Sequence, residues 1–477
     1  MTSSLNTLSR SLFLLTACTV LGLLLASCGR EKRQATTPGG ARVIELWQGF
    51  NTEETQLFKE IMKDFEKEYS AKSGQKITVE VRYVSFGDMF TKLRTAALAD
   101  ITPDIAFMDA IKVTDLSFGK ALTAIDEMDE FKARYGTLDK AREEFVAASF
   151  NAGVVNRLGE THLYGFPVQT TTVALFWNRE MFRNRAAELR AAGLDPNRAP
   201  RDWDEVYAYG KVLSDPKNNI YGFGLHGSLW FLFTIFNMYD TEFVEYAANG
   251  RASSALDTPN TRAALARIQG IALSGIEGGA WKRSGTSPDI GFLNRKYAMI
   301  LTGPWNVENF SRAGLDFDIA LIPAPPKAEA EALKLAPKNQ NPQGIGTYSS
   351  SNVGGQTGVI LRTSQNKDVA YALLEYFTSE PVQRRWASSL GQIPVRKSAW
   401  KDLDTTRFPF MPKFMEQLAQ AKRIPQIPLY GILESDVFNP QIDLLLQKSQ
   451  TPEDMVKRMN ATMEEKIFRK MNRGLAE

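Results

Sequence analysis

Apolar positions between Val43 and Met108 switch between two periods, and each switch marks a new element. Val43-Ile44-Glu45-Leu46-Trp47 reads as a strand. Leu57, Phe58, Ile61, Met62 and Phe65 then recur at three- and four-residue spacing, which predicts a helix with one buried face. Asn51, with Glu54 three residues on, has the spacing of a capping box at its start. Ile77, Val79, Val81 and Tyr83 alternate with polar neighbours, as a strand does. Residues 88–98 read as a helix and 104–108 as a third strand. The order β-α-β-α-β implies a parallel sheet with helices packed on it. Ligands of such sheets bind beyond the carboxyl ends of the strands, here residues 47–51, 85–88 and 108–110.

Further on, a strand is expected at 172–177, after Tyr164-Gly165-Phe166-Pro167, and helices at 202–213 and 261–273. Residues 323–346, rich in Pro, Ala, Lys and Asn, read as an exposed loop. A strand at 358–361 and a helix at 367–377 look like sheet elements again. The last helix starts with Thr451 as cap and Pro452 in its first turn, and carries Met455, Met459, Met463 and Ile467 on one face. No internal repeat is visible.

The N-terminus has a different pattern. Arg10 precedes an apolar run at 11–25, which ends in Leu25-Ala26-Ser27-Cys28. The run is shorter than the ~20 residues a bilayer span needs and has the layout of a secretory signal. The small-small-Cys ending resembles a bacterial lipobox, which makes 1–27 a lipoprotein signal peptide and Cys28 the lipid-bearing first mature residue. Of the two cysteines only Cys28 then remains, so no disulfide is expected. Residues 28–41 read as a flexible linker. Within it Arg30-Glu31-Lys32-Arg33 either touches anionic headgroups or is simply solvated. After the signal no apolar run reaches bilayer length, and about 450 residues call for two or three domains. Charges of both signs are interspersed, and the formal net charge is +3, or +2 without Arg10, so nothing points to nucleic acid.

Several stretches, taken in order, resemble a family. Pro103-Asp104-Ile105-Ala106-Phe107, Tyr164-Gly165-Phe166-Pro167 with Leu175-Phe176-Trp177-Asn178-Arg179-Glu180-Met181-Phe182, Ala298-Met299-Ile300-Leu301-Thr302-Gly303-Pro304-Trp305, and Gly354-Gly355 with the helix before Ser379-Glu380 carry the likeness; Trp203-Asp204-Glu205 adds to it. They are similar to the extracellular solute-binding proteins of ABC importers, in the carbohydrate-binding group that includes maltose-binding protein. The resemblance implies an α/β, two-lobed periplasmic-binding-protein-like fold of type II, with the ligand in a cleft between lobes. Lobe one is expected at 42–168 and 358–405, lobe two at 169–357 and 406–477, with hinges near 165 and 354. It further implies a monomeric extracytoplasmic receptor at the cell membrane, working with the transmembrane subunits of an ABC permease and needing no cofactor or metal.

A sugar site needs aromatic platforms for C–H faces and polar side chains for hydroxyl rims. By resemblance, Trp305 is the platform residue of the Gly-Pro-Trp segment. Trp230 and Phe231 lie in an aromatic run that is either a second platform or a buried helix, and Tyr430 aligns with a late aromatic. Gln48, Asn51 and Glu53 stand at a strand-to-helix junction, Asn51 being also the helix cap. Asp109 follows the Pro-Asp strand and Gln169 and Thr170 follow the crossover; Tyr348 and Arg396 complete the candidates. Met108-Asp109 stands where the maltose binder has an aromatic.

An enzyme is not indicated. His162 and His226 are far apart in sequence, and no His-Glu-x-x-His, Gly-x-Ser-x-Gly or Gly-x-x-x-x-Gly-Lys-Ser/Thr occurs. The readings left beside a sugar receptor are a receptor for a phosphodiester or a polyamine, and a lipid-anchored glycan-degrading enzyme.

Overall fold

The computed structural model describes residues 36–157, 159–247, 249–282, 284–338, 348–425, 427 and 429–473. The signal peptide, Cys28 and most of the linker lie outside the described residues. The last linker residues fold back on the first strand: Thr36 bridges Arg42, and the Thr37 hydroxyl accepts from Ala41 N at 3.1 Å.

The first sheet opens as the periodicity predicts, with β1 (Arg42–Gln48), α1 (Thr52–Ser73), β2 (Ile77–Tyr83), α2 (Phe86–Leu98) and β3 (Ile105–Asp109). β1 lies between β2 and β3, parallel to both. Asn51 and Glu54 form the full capping box of α1. Alternate β3 residues enter two different cores. Ile105 and Phe107 join Phe58, Phe377 and Trp386, whereas Ala106 and Met108 join Met89, Leu93 and Leu116. Both faces of the sheet are covered, which is why β3 reads as a continuous apolar run.

Two short strands follow, β4 (Phe166–Pro167) and β5 (Thr171–Thr172), then β6 (Ala174–Asn178). The expected strand at 172–177 is therefore broken at Val173, where the chain passes from one sheet to another. β6 is the middle strand of an antiparallel sheet with β7 (Met299–Thr302) and β8 (Phe317–Ala320). Between them runs α3 (Leu229–Met238), apolar on nearly every side and buried accordingly.

The chain crosses back through β9 (Ser351–Gly354), which runs into β10 (Gln356–Ile360) after the single residue Gly355. β9 pairs with β5, and β10 pairs with β4 and β3, all antiparallel. The two crossings thus travel side by side. Gly355 has φ +121°, and a Cβ there would stand 2.2 Å from the Gln169 carbonyl oxygen, so only glycine fits. β10 enters the first sheet between β3 and β4, covered by helices α4 (Lys367–Phe377) and α5 (Glu380–Leu390). A third short strand, β11 (Ala421–Arg423), runs parallel to β9.

The second core holds the C-terminal helices α6 (Asn439–Leu446) and α7 (Pro452–Met463). Met455, Met459, Met463 and Ile467 are all buried in it. The loop expected at 323–346 contains a helix, Lys327–Ala332. Strong helix formers there bury Ala330, which secures a turn that composition reads as loop; residues 339–347 lie outside the described residues. No helix among the described residues is long and apolar enough to cross a membrane.

Candidate functional site

A cleft of about 570 Å³ opens where the first sheet's strand ends face the second core. That volume suits a small ligand. One wall comes from the α1 N-terminus, the end of β3 and the turn after it: Asn51, Glu54, Asp109 and Lys112. The crossing segments contribute Gln169, Thr171, Gly355 and Gln356, and the opposite wall is Trp230, Phe231, Asp289, Trp305, Tyr430 and Glu434. A larger cavity of about 1080 Å³ lies elsewhere. Its amides serve the fold: Asn237 donates to Ser351 O, and Asn472 bonds both backbone groups of Ala252.

The aromatic wall is built by packing. Trp305 lies 5.7 Å from Trp230 at 59°, and Phe231 stands edge-on to Trp230 at 4.9 Å. His226 stacks behind Phe231 at 3.6 Å. Trp305 remains 41 % exposed, in contrast to the fully buried Trp203 and Trp386. Gly303 makes its position possible, since a Cβ there would lie 2.0 Å from the indole.

The polar wall is organised by Glu54, which is buried. Its Oε1 accepts from Gln169 Nε2 at 3.0 Å and Gln392 Nε2 at 3.1 Å, and its Oε2 accepts from Asn51 N at 3.0 Å. Burial raises its carboxyl above the ordinary range, against the opposing hydrogen bonds. Gln356 Nε2 donates to Gln169 Oε1 at 3.3 Å. Among the described residues, three buried polar atoms around the cleft have no hydrogen bond: Thr171 Oγ1, Gln356 Oε1 and Tyr430 Oη. His226 Nε2 and Asp289 Oδ1 stand 3.5 Å apart, an ion-pair separation. Groups of this kind are costly without a partner, and a polar ligand supplies one.

Asp109 is pushed up to about 6, chiefly by burial, with the Ile111 N–H and Lys112 pulling the other way. Ionising it therefore costs the fold stability above pH 6, a cost that fades as the pH falls toward the unfolded value near 3.9. Asp109→Asn is expected to stabilise the ligand-free protein by about 1–2 kcal/mol at pH 7.5 and by almost nothing at pH 4. Urea unfolding at both pH values checks this; equal stability of the two proteins at pH 7.5 would refute it.

Seven residues expected from sequence come together here: Asn51, Asp109, Gln169, Trp230, Phe231, Trp305 and Tyr430. Five lie outside the cleft lining. Gln48 is buried, accepting from Phe50 N and donating to the Thr55 hydroxyl. Glu53 stands exposed, 3.9 Å from Arg312 of the facing lobe. Thr170 is buried, with the Ser149 hydroxyl donating to its oxygen at 2.5 Å. Tyr348 packs on the second core. Arg396 is buried in the first lobe, where it donates to Thr378 O, Glu144, Glu375 and the Tyr135 hydroxyl, and lies 4.4 Å over Phe145. Of the lining residues not anticipated, Glu54 was visible only as a cap and Lys112 only as a neighbour of Asp109. Gln392, Asp289 and Glu434 carry no local signal.

Comparison with known proteins agrees with this architecture. Residues 51–384 match the family model described as bacterial extracellular solute-binding protein. The galactooligosaccharide-binding protein of Bacillus subtilis is 23% identical over 427 residues, covering 88% of each chain. The maltotriose-binding protein of Pyrococcus abyssi is 21% identical over 440 residues, covering 88% of this chain and 83% of its own. Among solved structures, the sugar-binding protein MalE from Xanthomonas citri superposes with a TM-score of 0.71 at 21% identity, over 91% of this chain and 99% of that one. The Thermus thermophilus maltotriose binding protein bound with maltotriose gives 0.65 at 22% identity, over 88% and 99%. With the matched model spanning most of the chain and the two-lobed fold in agreement, this protein belongs to the bacterial extracellular solute-binding protein family.

Proposed function

We propose that this protein is a lipid-anchored extracytoplasmic receptor that binds a carbohydrate between its lobes and delivers it to an ABC-type permease. The observation that carries the reading is the pairing of the Trp230–Phe231–Trp305 wall with a facing wall of amides and carboxylates, where the buried Gln356 Oε1 and Thr171 Oγ1 lack a hydrogen bond. A pyranose offers an apolar face to the first and hydroxyls to the second. Names of relatives support it, since those quoted above bind galactooligosaccharide or maltotriose. The anchor rests on Leu25-Ala26-Ser27-Cys28 and the lobes on residues 42–168 with 358–405 and 169–357 with 406–477. Contacts to both walls favour the closed form, and that form docks on the permease as a monomer. The solute leaves unchanged. A phosphodiester is disfavoured, because four lining carboxylates face one lysine.

Thermal unfolding of the mature, unlipidated chain against mono- and oligosaccharides tests the reading. A ligand at 100-fold its Kd adds about 2.7 kcal/mol to the folded state and a clear rise in Tm. A shift with a phosphodiester and none with any sugar would reverse it.

A further inference from the structure

The hydrogen-bonding sense of the cleft is lopsided. Glu54 is acceptor-only, so the amides around it turn their NH₂ groups inward: Gln169 and Gln392 donate to Glu54, and Gln356 donates to Gln169. The buried atoms left without a bond on that wall are an acceptor, Gln356 Oε1, and the Thr171 hydroxyl, and across the cleft the Asp289 carboxylate faces His226 Nε2 at 3.5 Å. Asp109 and Glu434 add two more carboxylates. Lys112 is the one lysine or arginine among the described lining residues, and its ammonium is held 4.5 Å over the Tyr430 ring. A hydroxyl brings one donor and two acceptor lone pairs, so a neutral sugar adds further acceptors to a cleft whose four carboxylates outnumber its lysine. An ammonium balances them, having three donors and no acceptor.

One corner suits it. Asp109, Glu434 and Tyr430 all line the cleft. Burial is the main cause that raises the proton affinity of Asp109 and of the Tyr430 hydroxyl, with Glu434 adding to both and Lys112 opposing at Asp109. That hydroxyl is 2 % exposed at residue level, lines the cleft, and has no hydrogen-bond partner. Two carboxylates and an unpaired phenol accept from a cation in charge-assisted hydrogen bonds, while the Tyr430 ring face is already taken by the Lys112 ammonium. We propose that the saccharide bound by this receptor carries a basic amino group, seated against Asp109 and Glu434 beside Tyr430. The proposal rests on the carbohydrate reading above and narrows its substrate class.

Calorimetry at pH 7 on matched sets of di- to tetrasaccharides tests it, each as the parent sugar, the 2-amino-2-deoxy form and its N-acetyl form, with spermidine alongside. The free amine is expected to bind about tenfold tighter than its N-acetyl form at low salt, and to lose most of that advantage at about 0.5 M salt. Asp109→Asn and Glu434→Gln should each erase most of the preference for the amine, with less effect on the parent sugar. Glu434 is partly exposed, so its variant preserves the test if Asp109→Asn disturbs folding. Equal or tighter binding of the neutral forms overturns the amine and leaves the sugar receptor standing. A preference untouched by either substitution overturns the assigned corner. Spermidine matching the best amino sugar, or silence from every saccharide, overturns the proposal together with the reading beneath it.

Discussion

Trp305→Ala is expected to weaken saccharide binding about thirtyfold while leaving the Tm of the ligand-free protein nearly unchanged. The two effects separate because Trp305 is largely on the surface although firmly held. Gly303 below it has no Cβ and Trp230 flanks it at 5.7 Å, so the indole is positioned without being part of the core. Its free face is apolar area left for a ligand. Covering roughly 80 Å² of it contributes about 2 kcal/mol, which is the thirtyfold. Trp230→Ala is a poorer probe. The Trp230 ring packs on Gly354 of β9, so the substitution leaves a gap beside a crossing strand as well. Calorimetry on Trp305→Ala decides the matter, and unchanged affinity would move the platform to another residue.

Arg396→Ala is expected to cost about 3–5 kcal/mol of stability and to leave the affinity of the folded protein within about twofold. The guanidinium joins three chain regions that are distant in sequence. It donates to the Thr378 carbonyl at the end of α4, to Glu375 within α4, and to Glu144 and the Tyr135 hydroxyl. Removing it takes the cation from Glu375 and one of two from Glu144, which keeps Arg134 at 3.0 Å, and leaves a cavity against Phe145. Urea unfolding of the two proteins measures the loss. A large fall in affinity with stability intact would return Arg396 to the ligand site.

The contrast between these residues shows what can be read from a sequence. β1 to β3 and their helices were legible because each periodicity is set by neighbours a few residues apart. The insertion of β10 between β3 and β4 was not, since a buried strand has the same apolar pattern whichever edge it joins. In the site, Asp109 and Trp305 were legible because one ends a strand and the other follows Gly-Pro. Glu54 looked complete as a helix cap, and nothing local says that two glutamines from elsewhere also converge on it. Arg396 was misplaced for the converse reason: an arginine in a connecting segment reads as solvent-facing until the acids that enclose it are brought in by the fold.

The late arrival of β10 shapes how the molecule comes into being. Asp109 of β3 pairs with Gln356, so the first sheet keeps an open edge until the chain is some 360 residues long. At 5–20 residues per second that interval is roughly 10–50 s of synthesis. Through all of it β3 is paired on one edge only, with β1, and the covering helices α4 and α5 are still unmade. Such contacts between distant positions also make closure slow once the chain is complete. A growing chain of this design keeps its first sheet incomplete for most of its length, which would suit the exported receptor proposed above. It is also exposed to aggregation for that whole period, and truncation anywhere before residue 356 should leave the first sheet unfolded.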